Sequence, residues 1–341
     1  MIRSLQSLRG IFALVIICYH YYSRAPMVVD ATACGVAFFF IMSGFALGLN
    51  HHVDTLKGFN LVTFMRNRLA KLYPIHLVLT LAMIYFIGIN WKLWINIFLI
   101  QSWFTEESVW FSYNGTSWFV SSLMFCYLFF GLFSYMSHRI KPIYCLTVLA
   151  IAAAALVASY FITPASVHSW LYYTFPVTRL IDFGLGITLA HIYNRSTTPP
   201  SEHRRSWGLI ATVALVLVLV LIVWPHGSPL ARVCFLSVVW YAPLALLIIT
   251  LSKAEHNRST LTRILSWKPL VWLGGISFEM YMWQVLMHCI VCKLGVIFTG
   301  HKFMPELHIC IIIALIIPLA WLTQRYFTVP IARWIKRQPP Q

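Results

Sequence analysis

The stretch "RGIFALVIICYH" sets a guanidinium, Arg9, and an imidazole, His20, at the two ends of one apolar run. Eleven residues at 3.6 per turn make about three turns plus 20°, so on a helix both side chains share a face, roughly 16 Å apart along the axis. A guanidinium holds anionic groups and a near-neutral imidazole takes protons, so one helix can grip a charged substrate at one end and do proton chemistry farther along. The other reading makes Arg9 a positive-inside anchor and His20 an interfacial ring among Tyr19, Tyr21 and Tyr22.

A second chemistry-bearing run is "MRNRLAKLYP", in which Arg66, Arg68 and Lys71 precede Pro74. It reads as a basic loop leading into a span that begins at Pro74. Arg68 and Lys71 are three apart, hence neighbours on one helical face, and suit phosphates as a fork and a point charge. A topological or lipid-binding role is the alternative. Of nine carboxylates, seven (Asp30, Asp54, Glu106, Glu107, Glu202, Glu255 and Glu306) fall in loops or near span ends, leaving Asp182 and Glu279 inside spans. Arg179 stands three residues before Asp182, which makes either a structural intramembrane pair or part of a site. Glu279 can orient His20 or meet Arg9, a pairing across helices that sequence leaves open. Cys289 and Cys292 form a CxxC inside a span with no second pair, and read as packing residues, so no metal-ligand set is expected. "NGT" at Asn114 to Thr116 matches the glycosylation acceptor pattern.

The elements that must position these residues follow from composition. Of 341 residues 60% are hydrophobic and 10% charged, and runs of roughly 20 apolar residues recur from end to end. A soluble globular class is excluded. Continuous runs such as "LIATVALVLVLVLIVW" exclude an outer-membrane barrel, whose strands alternate. The reading is an all-α integral membrane protein, a bundle of about ten transmembrane helices. The spans fall at about 8–24, 31–49, 74–90, 117–136, 143–163, 170–193, 207–224, 231–251, 270–292 and 308–326. With the amino end inside, seventeen Lys and Arg fall in cytoplasmic segments against five outside, so both termini are expected in the cytoplasm. The net charge of +16 then reflects topology and contact with membrane lipids, with no nucleic acid implied. The apolar segment 91–104 is expected to be interfacial or re-entrant, because an eleventh span would turn every later basic loop outward. Short loops and the lack of a fixed-period repeat give one transmembrane domain over 1–341, with no appended soluble domain.

Taken in order, these residues resemble the integral-membrane acyltransferase type 3 family over nearly the whole sequence. Arg9 and His20 match its amino-terminal arginine, ten residues and histidine; "GVAFFFIMSGF" (35–45) is similar to its second span, and "RLAKLYP" (68–74) to its basic pair before a proline, with Lys71 where arginine is usual. "QSW" (101–103), "SWFVSSLMFCY" (117–127), "FPVTRLIDFGLGITLAH" (175–191) and "GGISFEMYMWQ" (274–284) follow as later landmarks. The sequence departs from the family at Leu123 and Met124, where glutamate is frequent, at Gln284, where histidine is common, and at Thr328, near a frequent carboxylate. The resemblance therefore supplies no acid partner for His20 there.

The resemblance implies O-acyl transfer, commonly acetyl, from a coenzyme A thioester to a hydroxyl of a carbohydrate acceptor such as a bacterial surface polysaccharide or its lipid-linked precursor. It places the protein in the bacterial inner (cytoplasmic) membrane and allows a partner protein on the acceptor side. His20 would be the general base. Arg9 would offset charge on the carbonyl oxygen or join Arg66, Arg68 and Lys71 on the donor phosphates. Ser43, Tyr127, Tyr281 and Trp283 would line the groove, with Arg179, Asp182 and Glu279 as further site residues. The rival reading is a multi-span transporter or exporter of an anionic solute or glycan, which a basic bundle with intramembrane charges also suits.

Overall fold

The computed structural model describes residues 2–21, 26–51, 53, 55–196, 204–255 and 259–337. The predicted end of the first span at 22–24 lies outside them, as do Tyr22, Arg24, Asp54, Glu202 and Arg258. The described chain is all helical. Its helices of seven or more residues begin with α1 (Arg3–Tyr21), α2 (Pro26–Asn50), α3 (Leu61–Ala82), α4 (Trp91–Ile97), α5 (Trp118–Leu128), α6 (Phe130–Arg139) and α7 (Pro142–Ser159). There follow α8 (Pro176–Arg195), α9 (Arg204–Val223), α10 (Tyr241–Ala254), α11 (Lys268–Gly275), α12 (Ser277–Thr299), α13 (Pro305–Thr323) and α14 (Val329–Arg337).

Each of the ten predicted spans lies mainly on helix. Among the described residues six helical stretches are long and apolar enough to cross a membrane, or seven if α5 and α6, bent by 49° at their junction, count as one. The remaining three predicted spans fall on α1, α8 and α10. Charged side chains dilute the apolar character of α1 and α8, and α10 has 14 residues, about 21 Å against a hydrocarbon core of about 30 Å.

Two local readings change. The basic run 66–71 is not a loop: Asn60 caps α3 by accepting from the Thr63 amide at 2.9 Å, and the helix runs on through Pro74. A proline forfeits one backbone hydrogen bond, and the helices packed around α3 tolerate that gap. Asp30 sits near the start of α2, at a span end as expected, but it is buried there, with its Oδ2 2.6 Å from His226 Nε2. Asn114 is 1% exposed and its Nδ2 donates to the Met282 carbonyl at 3.1 Å, so it is no glycan acceptor in the folded chain.

Segment 91–104 is a short helix followed by irregular backbone, not a full-length apolar helix. The seven residues of α4 rise only about 10 Å, and a 3₁₀ turn at Gln101–Trp103 follows. Buried side chains hold this irregular backbone in place. His76 Nε2 meets the Asn96 carbonyl at 2.9 Å, Ser121 Oγ donates to the Leu99 carbonyl at 2.6 Å, and Ser102 Oγ donates to the Trp118 carbonyl at 2.8 Å. Such backbone survives at membrane depth only when protein satisfies it.

Two close approaches set the helices that matter for the site. Along the α2–α8 seam a Cβ on Gly44 would stand 2.1 Å from the Phe183 carbonyl oxygen, and one on Gly186 2.0 Å from that of Ile41. Backbones touch there as they do in small-residue membrane packing. Where α1 crosses α11, a Cβ on Gly274 would lie 1.7 Å from the Gln6 carbonyl oxygen. The start of α1 is held from α10's end, since Glu255 accepts from the Arg3 amide at 2.9 Å and from Ser4 Oγ at 2.7 Å. That carboxylate satisfies open amides and complements the positive helix end. Arg9 thus rises from a helix fixed at its base and on its flank.

Candidate active site

Helices α1, α2, α3, α5 and α12 enclose a cavity of about 410 Å³, within the range of small-ligand sites. Arg9 on α1 and Arg68 and Lys71 on α3 line it, with Ser43, Tyr127 and Tyr281 on its walls. The one-turn spacing of Arg68 and Lys71 puts both on the cavity face, while Arg66, two residues from Arg68, is not part of the lining.

Arg9 Nη1 donates to Gln6 Oε1 at 3.2 Å, a partner one turn earlier on the same helix. Glu279, 2% exposed at the start of α12, lies in the electrostatic reach of Arg9 and Lys71 and accepts a long 3.4 Å contact from Gln324 Nε2. It interacts electrostatically with Lys71 first and with Arg9 less strongly, and the side chain beside His20 is Gln284. The Arg68 guanidinium lies 5.3 Å from the Phe64 ring centroid, and its Nε is buried with no hydrogen-bond partner among the described residues. Three cations and no carboxylate among the described lining residues leave the cavity positive, and an unsatisfied guanidinium N–H is a donor waiting for an acceptor.

His20, near the far end of α1, keeps an accessible ring. Its Nδ1 lies 3.1 Å from Oε1 of Gln284 on α12. Gln284 is fully buried, and its Nε2 donates to the Tyr281 carbonyl at 2.9 Å. A carbonyl only accepts, so it fixes which end of the amide is nitrogen and turns the amide oxygen toward His20. The neutral ring then carries its proton on Nδ1, and Nε2 presents the lone pair. No carboxylate is needed to set this tautomer.

The shared groove expected for Arg9 and His20 is interrupted. Arg9 lines the cavity and His20 does not, although the Tyr281 wall residue is joined to His20 through Gln284. Trp283 faces away and donates from Nε1 to Thr323 Oγ1 at 3.0 Å, tying α12 to α13. Arg179 and Asp182 are likewise outside the lining: Nη1 and Oδ2 pair at 3.0 Å with both side chains 0% exposed. Arg179 Nη2 donates to the Tyr172 carbonyl at 2.5 Å, and the guanidinium lies 5.7 Å from the Phe40 ring centroid. That pair is a structural clasp against α2.

A family model described as an acyltransferase domain matches residues 2–325. The chain belongs to that acyltransferase family. This acyltransferase is similar to the acyltransferase MdmB of Streptomyces mycarofaciens, 30% identical over 283 residues that make up 76% of this chain and 68% of that protein. It is also similar to the peptidoglycan O-acetyltransferase OatA of Listeria monocytogenes, 23% identical over 325 residues, 82% of this chain and 48% of that protein, so the chain spans about half of OatA's length. No solved structure matches it. In this acyltransferase the residue that sequence reasoning missed is Gln284, visible there only as a departure from the family's histidine. Gln6, three residues before Arg9, was legible from helical spacing.

Proposed function

We propose that this acyltransferase moves an acetyl group from acetyl-CoA to a hydroxyl of a carbohydrate acceptor, a surface polysaccharide or its lipid-linked precursor. What carries the reading is the chain from Tyr281 through Gln284 to His20, which leaves an imidazole lone pair exposed one residue layer beyond a cation-lined cavity. The likeness to OatA, a peptidoglycan O-acetyltransferase, supports acetyl as the group and a glycan as the acceptor.

His20 Nε2 takes the proton of the acceptor hydroxyl as that oxygen attacks the thioester carbonyl. The tetrahedral intermediate collapses to the ester and expels the coenzyme A thiolate, which takes the proton back from His20. Arg9, Arg68 and Lys71 hold donor phosphates, present alike in ground and transition states. The thioester must pass the Tyr281 layer to reach His20, so that wall moves during turnover. The excess of basic residues in alternate loops supports both termini on the cytoplasmic side of the bacterial inner membrane, with the donor entering from the cytosol.

The test is a labelled acetyl-CoA assay on purified protein with candidate glycans. Labelled glycan and free coenzyme A in equal amounts are expected, and both are lost in His20→Ala. A carrier would move solute and leave the thioester intact, which would overturn the proposal.

A further inference from the structure

Away from the cavity, the hairpin of α12 and α13 brings together three side chains that the acyl-transfer chemistry does not use. His288 and Cys292 are four residues apart on one face of α12, and His308 faces them from the first turn of α13. His288 Nδ1 lies 2.9 Å from His308 Nε2 and 4.0 Å from Cys292 Sγ. Donor atoms of all three fall within 4.8 Å of one another. His308 is 5% exposed, and the other two are half-buried.

We propose that His288, Cys292 and His308 bind a borderline-to-soft transition-metal ion of the zinc class. Two imidazole nitrogens and a thiolate select such an ion over magnesium or calcium, which take oxygen ligands. Zinc bonds of about 2.0–2.3 Å at tetrahedral angles put donor atoms about 3.3–3.6 Å apart. The observed 2.9 and 4.0 Å bracket that spacing and the remaining His308–Cys292 pair lies within 4.8 Å, so side-chain rotations close the set. Binding expels the Cys292 thiol proton, and the proton lying between the two rings moves to the outer nitrogen of its own imidazole, so both rings ligate as neutral groups. Lys302, in the loop between the helices, opposes the ion electrostatically, and the Cys292 thiolate charge offsets it. Three protein ligands leave one position open to water.

The site would also brace the neighbourhood of His20. The Tyr21 ring stacks on His288, centroids 4.4 Å apart and planes 16° from parallel, and Gln284 lies one turn before His288 on α12. An ion there pins α13 to the stretch of α12 that holds the imidazole. The binding claim itself stands without the acyltransferase mechanism.

The experiment strips the purified full-length protein with chelator and titrates it with Co²⁺ and with Zn²⁺. The expected result is one equivalent bound, a thiolate-to-cobalt charge-transfer absorption, and its displacement by zinc. Cys292→Ser should abolish the charge-transfer absorption and His308→Ala should weaken binding at least tenfold, while Cys289→Ser binds as wild type. The Cys289→Ser protein is itself a decisive readout independent of how the other variants fold. If it or the wild type takes up no ion, or shows no thiolate band, the proposal is overturned. Unchanged binding in both Cys292→Ser and His308→Ala would overturn it equally.

Discussion

Arg9 and Arg179 are both arginines inside helices, each with a carboxylate in reach, yet they stand in opposite surroundings. Arg179 is sealed in the α2–α8 seam, away from the cavity, with its pair, a backbone carbonyl and an aromatic face, although its Nε has no hydrogen-bond partner among the described residues. Arg9 opens on a cavity, holds one neutral partner, and shares a single carboxylate with Lys71. A buried charge paired inside a sealed seam holds helices together; one that opens on a cavity is placed to bind something.

That contrast gives its own tests. On the open side the largest effect is expected at His20: His20→Ala should lower kcat by about 10²–10⁴-fold with the thermal midpoint in detergent unmoved. A parallel fall in the midpoint would make His20 structural and erase the distinction. On the sealed side Arg179→Met leaves Asp182 uncompensated and should cost about 3–5 kcal/mol, read as a lower thermal midpoint and less folded protein. Adding Asp182→Leu should restore most of it, whereas Arg9→Met should cut activity at normal protein levels. Next comes Arg68→Ala, which removes a charge-assisted contact worth about 1.5–3 kcal/mol and should raise KM for the donor about tenfold or more with kcat kept. The smallest effect is at Gln284: Gln284→Ala frees the ring to choose either tautomer and should lower kcat about tenfold with KM unchanged, since one neutral hydrogen bond is worth about 1 kcal/mol. A KM change there instead would place Gln284 on the donor rather than behind the base.

Local patterns carried well from sequence to structure. The helical phase of Arg68 and Lys71, the Arg179–Asp182 spacing and the apolar runs all depend on residues within a few turns of one another, and all three hold. Boundaries carried less well, because the first half of α3 is polar and reads as loop until its cap at Asn60 and its packing are known. The three helices too charged or too short to qualify as spans on composition alone include the two that bear Arg9 and Arg179. Function and structure there are built from residues that blunt the hydropathy signal.

By itself the sequence determined an all-helical membrane bundle, its family, and one helix with a guanidinium and an imidazole about three turns apart, since periodicity and composition are properties of contiguous chain. Only the tertiary structure decided that Gln284 rather than a carboxylate sets the ring of His20, that Glu279 lies in the electrostatic reach of Lys71 and Arg9, and that His308 stands beside His288 and Cys292. Each of those meetings joins residues on different helices. Which side chains face each other across helices is fixed by close backbone crossings and rotation about each axis, and no spacing along the chain encodes it.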